Sequence, residues 1–138
     1  MATNARQFSL QLERFSRDTV PETLGKVTRA LGLEAMRRIV LRTPVDTGRA
    51  RGGWGASIGA PFEGTRAGTD VSGAETIADG SSVIATARPF QTIHISSNVE
   101  YILPLENGSS QQAPAGMAHV TVEELKNADL NALAGVLS

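Results

Sequence analysis

The sequence predicts an α+β fold, in which a long N-terminal helix packs on a small, mostly antiparallel sheet with further short helices. Three observations predict it. Leu24, Val27, Leu31, Ala35 and Ile39, flanked by Met36 and Val40, recur at helical spacing, while Arg29, Arg37, Arg38 and Arg42 fall on other faces. Two later segments alternate instead. Trp54, Ala56 and Ile58 stand against Gly53, Gly55 and Ser57, and Ile93 and Ile95 stand against Thr92, His94 and Ser96, the period of half-buried strands. The third observation is a Ser/Thr-x-x-Glu spacing ahead of several apolar runs, which marks helix starts.

In chain order, Phe8, Leu12 and Phe15 predict a short amphipathic helix over residues 5–17, although Phe8, Leu10 and Leu12 also alternate as a strand would. Thr19 then serves as N-cap with Glu22 three residues on, and Pro21 sits in the first turn, where its missing N–H costs nothing. Pro44 disfavours the helical region for Thr43, so this helix is expected to end near Arg42. After the first strand, "GAPFEGTRAGTDVSG" is rich in glycine and polar residues and predicts a mobile loop over 59–73. Ser72 and Glu75 form a second capping box before "AETIADGSSVIATA", where Ile77 and Ile84 lie two turns apart and Gly80 weakens the middle. "VEYILPLENG" predicts a short helix or turn closing at Asn107 and Gly108, residues that tolerate positive φ, and "SSQQAPAG" a loop. Thr121 and Glu124 make a third capping box, with Val122, Leu125 and Leu133 expected to face the core.

A length of 138 residues fits one domain spanning 1–138. Aromatics are only 4% of the chain, so the core is expected to be built from Leu, Val, Ile and Ala, and no aromatic platform for stacking bases is present. The absence of cysteine excludes disulfides and thiolate metal sites and suits a reducing compartment such as the cytoplasm. No apolar run approaches the roughly 20 residues that span a bilayer, and the amino terminus lacks a signal-peptide core, so the expectation is a soluble protein with no membrane partner. Up to Arg51 the chain carries ten basic and five acidic residues; from Gly52 onward it carries three basic and nine acidic. Halves of opposite sign suit head-to-tail association of copies, unless both are simply solvated surface.

The chemistry hinges on "VDTGRARGGW". Asp46, Thr47 and Gly48 match the loop of a dimeric aspartic protease, in which two carboxylates about 3 Å apart share a proton. That loop needs apolar strand residues before the Asp and a small residue after the Gly; here a helix precedes it and Arg49 follows. The preferred reading is an Asx-type turn, with Asp46 accepting from the N–H groups of Gly48 or Arg49. His94 and His119 lack partners at a metal-ligand spacing, and no glycine cluster leads into the Lys-Ser or Lys-Thr of a phosphate loop. No cofactor and no catalysis are therefore expected. Arg37, Arg38, Arg42, Arg49 and Arg51 could line a basic strip; with pI ≈ 6.1 the chain is no free DNA binder, and such a strip would meet DNA only inside an assembly.

"TPVDTGRARGGW" after an Arg-bearing helix, followed by "TIHISSNVEYILPLENGSSQQAPAGM", resembles the neck or tail-completion (minor tail) proteins of long-tailed bacteriophages. In that family a helix leads into Pro-Val-Asp-Thr-Gly, a basic residue and a Trp-bearing strand, then a strand ending in Asn, a Tyr and a Leu-Glu-Asn-Gly turn. Asp46, Thr47, Gly48, Arg49 and Trp54 match the first motif; Asn98, Tyr101, Glu106, Asn107 and Gly108 match the second. Glu100 stands where the family usually carries a proline before the tyrosine. The resemblance implies a non-catalytic virion protein at the head-tail junction, made in the host cytoplasm. It further implies a homo-oligomeric, hexameric ring between tail terminator and head-closure connector proteins, with Arg37, Arg38 and Arg42 as candidates to face DNA in the channel.

Overall fold

The computed structural model describes residues 20–45, 48–64, 68–100, 102–108 and 110–127. The helix expected over 5–17, the N-cap Thr19 and the apolar Leu133 lie outside the described residues. In chain order the elements are α1 (Val20–Arg42), α2 (Arg49–Gly52), β1 (Trp54–Ile58), α3 (Ala74–Ile84), β2 (Ile93–Ser97), α4 (Ile102–Glu106) and α5 (Ala118–Lys126). The α+β expectation holds: one long helix packs on an antiparallel β1–β2 pair, with Trp54 opposite Ser97 and Ile58 opposite Ile93. Direct pairing puts opposed side chains on the same face, so Trp54, Ala56, Ile93 and Ile95 all turn toward the core. On the other face the Phe62 ring lies over Gly55, where an added Cβ would stand 2.9 Å from it.

α1 stops where Pro44 requires, but its buried face matches the expected stripe and flank only at their C-terminal end. Met36, Ile39 and Val40 are buried, whereas Leu24 is exposed and Leu31 and Ala35 line a groove. The reason is glycine. A Cβ at Gly32 would lie 3.0 Å from Ile84 and 3.2 Å from Ile93, so the bare backbone lets α3 and β2 approach on that side. Gly80 does the same from α3, where a Cβ would meet Met36 at 2.5 Å. What weakens α3 as an isolated helix is what lets it cross α1 closely.

The core therefore differs from the expected Leu, Val, Ile and Ala composition. Met36, Met117 and Trp54 join Ile39, Val40, Ile84 and Ala113 as its buried members, and Leu33 and Leu105 pack only at its margin. Two capping boxes are also corrected. α3 begins behind Gly73 at φ 80; Asp70 accepts from the N–H groups of Gly73 and Thr76, and Ser72 Oγ from that of Ala74. α5 begins at Ala118, so Thr121 lies inside it, buried, donating its hydroxyl to the Met117 carbonyl at 2.7 Å. Val122, expected in the core, is 51% exposed. Among the described residues no helix is long and apolar enough to cross a membrane.

Thr43 ties α1 to the sheet. Its hydroxyl donates to the Ile39 carbonyl at 2.7 Å and accepts from the Trp54 indole N–H at 2.7 Å, and the threonine is fully buried. Thr43→Val keeps the shape and removes the Oγ1 acceptor from the indole N–H. It should lower the unfolding free energy by about 1–3 kcal/mol, with Thr43→Ser losing less; an unchanged urea midpoint in Thr43→Val would contradict this role.

Candidate functional site

The first motif folds as the corner that closes the end of α1. A helix C-terminus leaves carbonyls without intrahelical donors, and here a side chain from the motif supplies them. Arg51 donates from Nε to the Thr43 carbonyl, from Nη2 to the Leu41 carbonyl and from Nη1 to the Val71 carbonyl, each at 2.9 Å. One guanidinium thus fastens the helix end, α2 and the segment that precedes α3. Gly48 makes the approach sterically feasible. It adopts φ 87, its carbonyl accepts from the N–H groups of Gly52 and Asp70 at 2.9 Å, and a Cβ there would lie 2.7 Å from the Val71 nitrogen.

Asp70 completes this corner. Its Oδ2 accepts from the Thr76 N–H and the Thr76 hydroxyl, both at 2.8 Å, and its Oδ1 accepts from the Gly73 N–H at 3.1 Å. The Thr76 N–H, against a smaller opposing effect of burial, holds the Asp70 carboxyl below the usual carboxylate range. Asp46 and Thr47, with the Asx turn expected there, lie outside the described residues. Arg49 is exposed at the start of α2.

The second motif is the mirror case, a helix N-terminus. Glu106 closes α4 and turns its carboxylate onto the start of α5: Oε2 accepts from the N–H groups of Met117 and Ala118 at 2.9 Å, and Oε1 from that of His119 at 2.8 Å. Burial raises the Glu106 pKa, but the three N–H donors outweigh it and the net direction is down. Gly108, at φ 90, leaves room for the Pro114 carbonyl, which a Cβ would meet at 2.4 Å. Asn107 donates its N–H to the Leu103 carbonyl at 3.0 Å. Asn98 donates from Nδ2 to the Phe62 carbonyl at 3.1 Å and also to that of Gly64. Tyr101 lies outside the described residues.

The two motifs meet. The Gln112 side-chain amide brackets Val45, accepting its N–H at 2.9 Å and donating to its carbonyl at 3.2 Å. A Cβ on Gly53 would clash with Val99 at 2.2 Å, and Trp54 shares the core cluster with Ala113 and Met117. Of the expected site residues, Trp54 reaches across the motifs into the core cluster with Ala113 and Met117, while Gly48 serves the corner at the end of α1 and Glu106 and Gly108 serve the approach to α5. Gln112 carries the contact between motifs, and Thr43 and Asp70 hold the first corner, without having been singled out; Arg51 was expected in a basic strip and instead binds the carbonyls of Leu41, Thr43 and Val71. An acid just before a helix start, as in "DVSG", was the one readable signal for Asp70.

The candidate DNA-facing arginines are engaged within the chain. Arg37 pairs with Glu34 at 3.0 Å, Arg38 with Glu34 and Glu124 at 2.9 Å each, and Arg42 with Glu124 while also donating to Thr121 Oγ1. Hydrogen bonds from Arg37 and from Arg42 are the main causes that hold Glu34 and Glu124, respectively, below the ordinary glutamate range. Among the described residues no group of three or more His, Cys, Asp or Glu is placed to hold a metal. No protein-family model matches the chain, and neither a curated protein nor a solved structure matches it.

Because the folded Glu106 carboxyl has a lowered pKa, the folded state releases its proton more readily than the unfolded chain. Its contribution is fully present above the ordinary value of 4.5 and is lost as pH falls through the lowered folded value. Glu106→Ala should cost about 0.5–2 kcal/mol at neutral pH. The variant should also lose part of the acid dependence below that range, and parallel stability-versus-pH curves for the two proteins would exclude the cap.

Proposed function

We propose that this chain is a structural subunit of the head-tail junction of a long-tailed bacteriophage, a neck or tail-completion protein that assembles into a homo-oligomeric ring. The observation that carries the reading is the pairing of the two motifs. "TPVDTGRARGGW" and "TIHISSNVEYILPLENGSSQQAPAGM", which together resemble the family, fold against each other through Gln112 on Val45 and Gly53 on Val99. Residues far apart in sequence that match one family and also pack against each other support a common origin more strongly than either motif alone.

On this reading the ring is hexameric, with the tail terminator on one side and the head-closure connector on the other, and the channel passes DNA. Arg38 and Arg42 meet DNA only after giving up Glu124, because an acid already occupies them. The protease alternative for Asp46-Thr47-Gly48 calls for strand geometry around the loop. Here α1 leads into it and α2 leaves it.

The test is electron microscopy of a phage lysate lacking this protein, complemented with the wild-type chain or with Asp46→Asn. Filled heads and separate tails in the deletion, joined again by both proteins, are expected, together with a six-fold mass of the purified chain in native mass spectrometry. Normal virions without the protein would overturn the junction reading. Immature heads that Asp46→Asn fails to rescue would restore the protease.

A further inference from the structure

The two ends of α5 are held by different kinds of contact. Its beginning is anchored: Met117 and Thr121 are buried, and Glu106 takes three N–H groups there. Its last turn buries no side chain. Val122 and Leu125 instead line one wall of a groove of about 590 Å³, whose other walls are Leu31 and Ala35 of α1 and Ile93 and Ile95 of β2. Charge ties that turn to α1, since Glu124 accepts from Arg38 at 2.9 Å and from Arg42. The Lys126–Glu123 pair stays within α5 and adds no cross-link.

We propose that the last turn of α5 is an electrostatic latch: Glu124 on Arg38 and Arg42 holds this wall of the groove shut, and its release lets the turn swing about Thr121 and widen the groove. A segment with few buried apolar contacts opens at a lower free energy than the whole domain. Both ion pairs converge on a single carboxylate, so they are lost together. Their side chains are 28–38% exposed, within reach of screening by salt. Release does not leave a guanidinium stranded in the interior, because Glu34 keeps its bond to Arg38 and the Arg42 side chain is already 31% exposed to water. Opening therefore uncovers the Arg42 guanidinium and the apolar groove side by side.

The latch does not rest on the phage reading, and either can fail alone. The test is amide hydrogen exchange of the full chain at low salt and in 1 M NaCl, with Glu124→Gln at low salt as a third sample. Exchange at Val122–Lys126 should rise about tenfold in the salt and variant samples, with the amides of Met36–Val40 in α1 and of α3 unchanged. Last-turn amides that exchange no faster under either change would overturn the latch. So would an equal acceleration in α1 and α3, which would make Glu124 a support of the whole domain.

Discussion

The fold depends on how the C-terminal end of α1 is satisfied. A long helix that stops inside a domain leaves carbonyls pointing at whatever lies beyond it, and burying them without donors is expensive. Here the Thr43 hydroxyl takes the Ile39 carbonyl, the Thr43 N–H takes that of Val40, and Arg51 takes those of Leu41 and Thr43. A cation at this end also complements the helix dipole. Since Arg51 holds Val71 as well, the same solution fixes where the chain before α3 must run. Strand β1 follows at once, and Trp54 closes back on Thr43.

Glu106 answers the opposite requirement at α5, and Asp70 answers it at α3. In all three cases the helix end is completed by a charged side chain from outside the helix itself. This division of labour suits a small core. Among the described residues seven form the buried cluster, so the apolar contacts set the layers while charged groups at helix ends set how the connecting segments are threaded. Gly48, Gly108 and Gly116 belong to the same scheme, since each occupies a left-handed conformation beside a backbone atom that a Cβ would strike.

Much of the framework was legible in the sequence for local reasons. Pro44 marked the end of α1, alternation marked β1 and β2, and the Leu-Glu-Asn-Gly turn marked the end of α4. What escaped was non-local. The N-terminal part of the α1 stripe was misread because Gly32 counts as neither apolar nor polar in a periodicity argument, yet it decides which side α3 and β2 can approach. The capping boxes at Ser72 and Thr121 failed because the spacing also arises where another acid makes the cap: Asp70, two residues before Ser72, at α3 and the more distant Glu106 at α5. Gly48, Trp54, Glu106 and Gly108 were recognisable as motif letters. Their tasks were not, because each task involves a partner many residues away.

The charge pattern shows the same difference between sequence and space. Counted along the chain, the basic half and the acidic half look like two poles that neighbouring copies could join. Folding brings part of one pole onto the other: Glu124 from the acidic half lies on Arg38 and Arg42 from the basic half. Those charges complement each other within one molecule, so they give no direction to association between molecules while α5 is seated. Any head-to-tail contact must then be made by groups left outside these pairs. The matching of copies is a property of the folded surface, and linear charge counts overstate it.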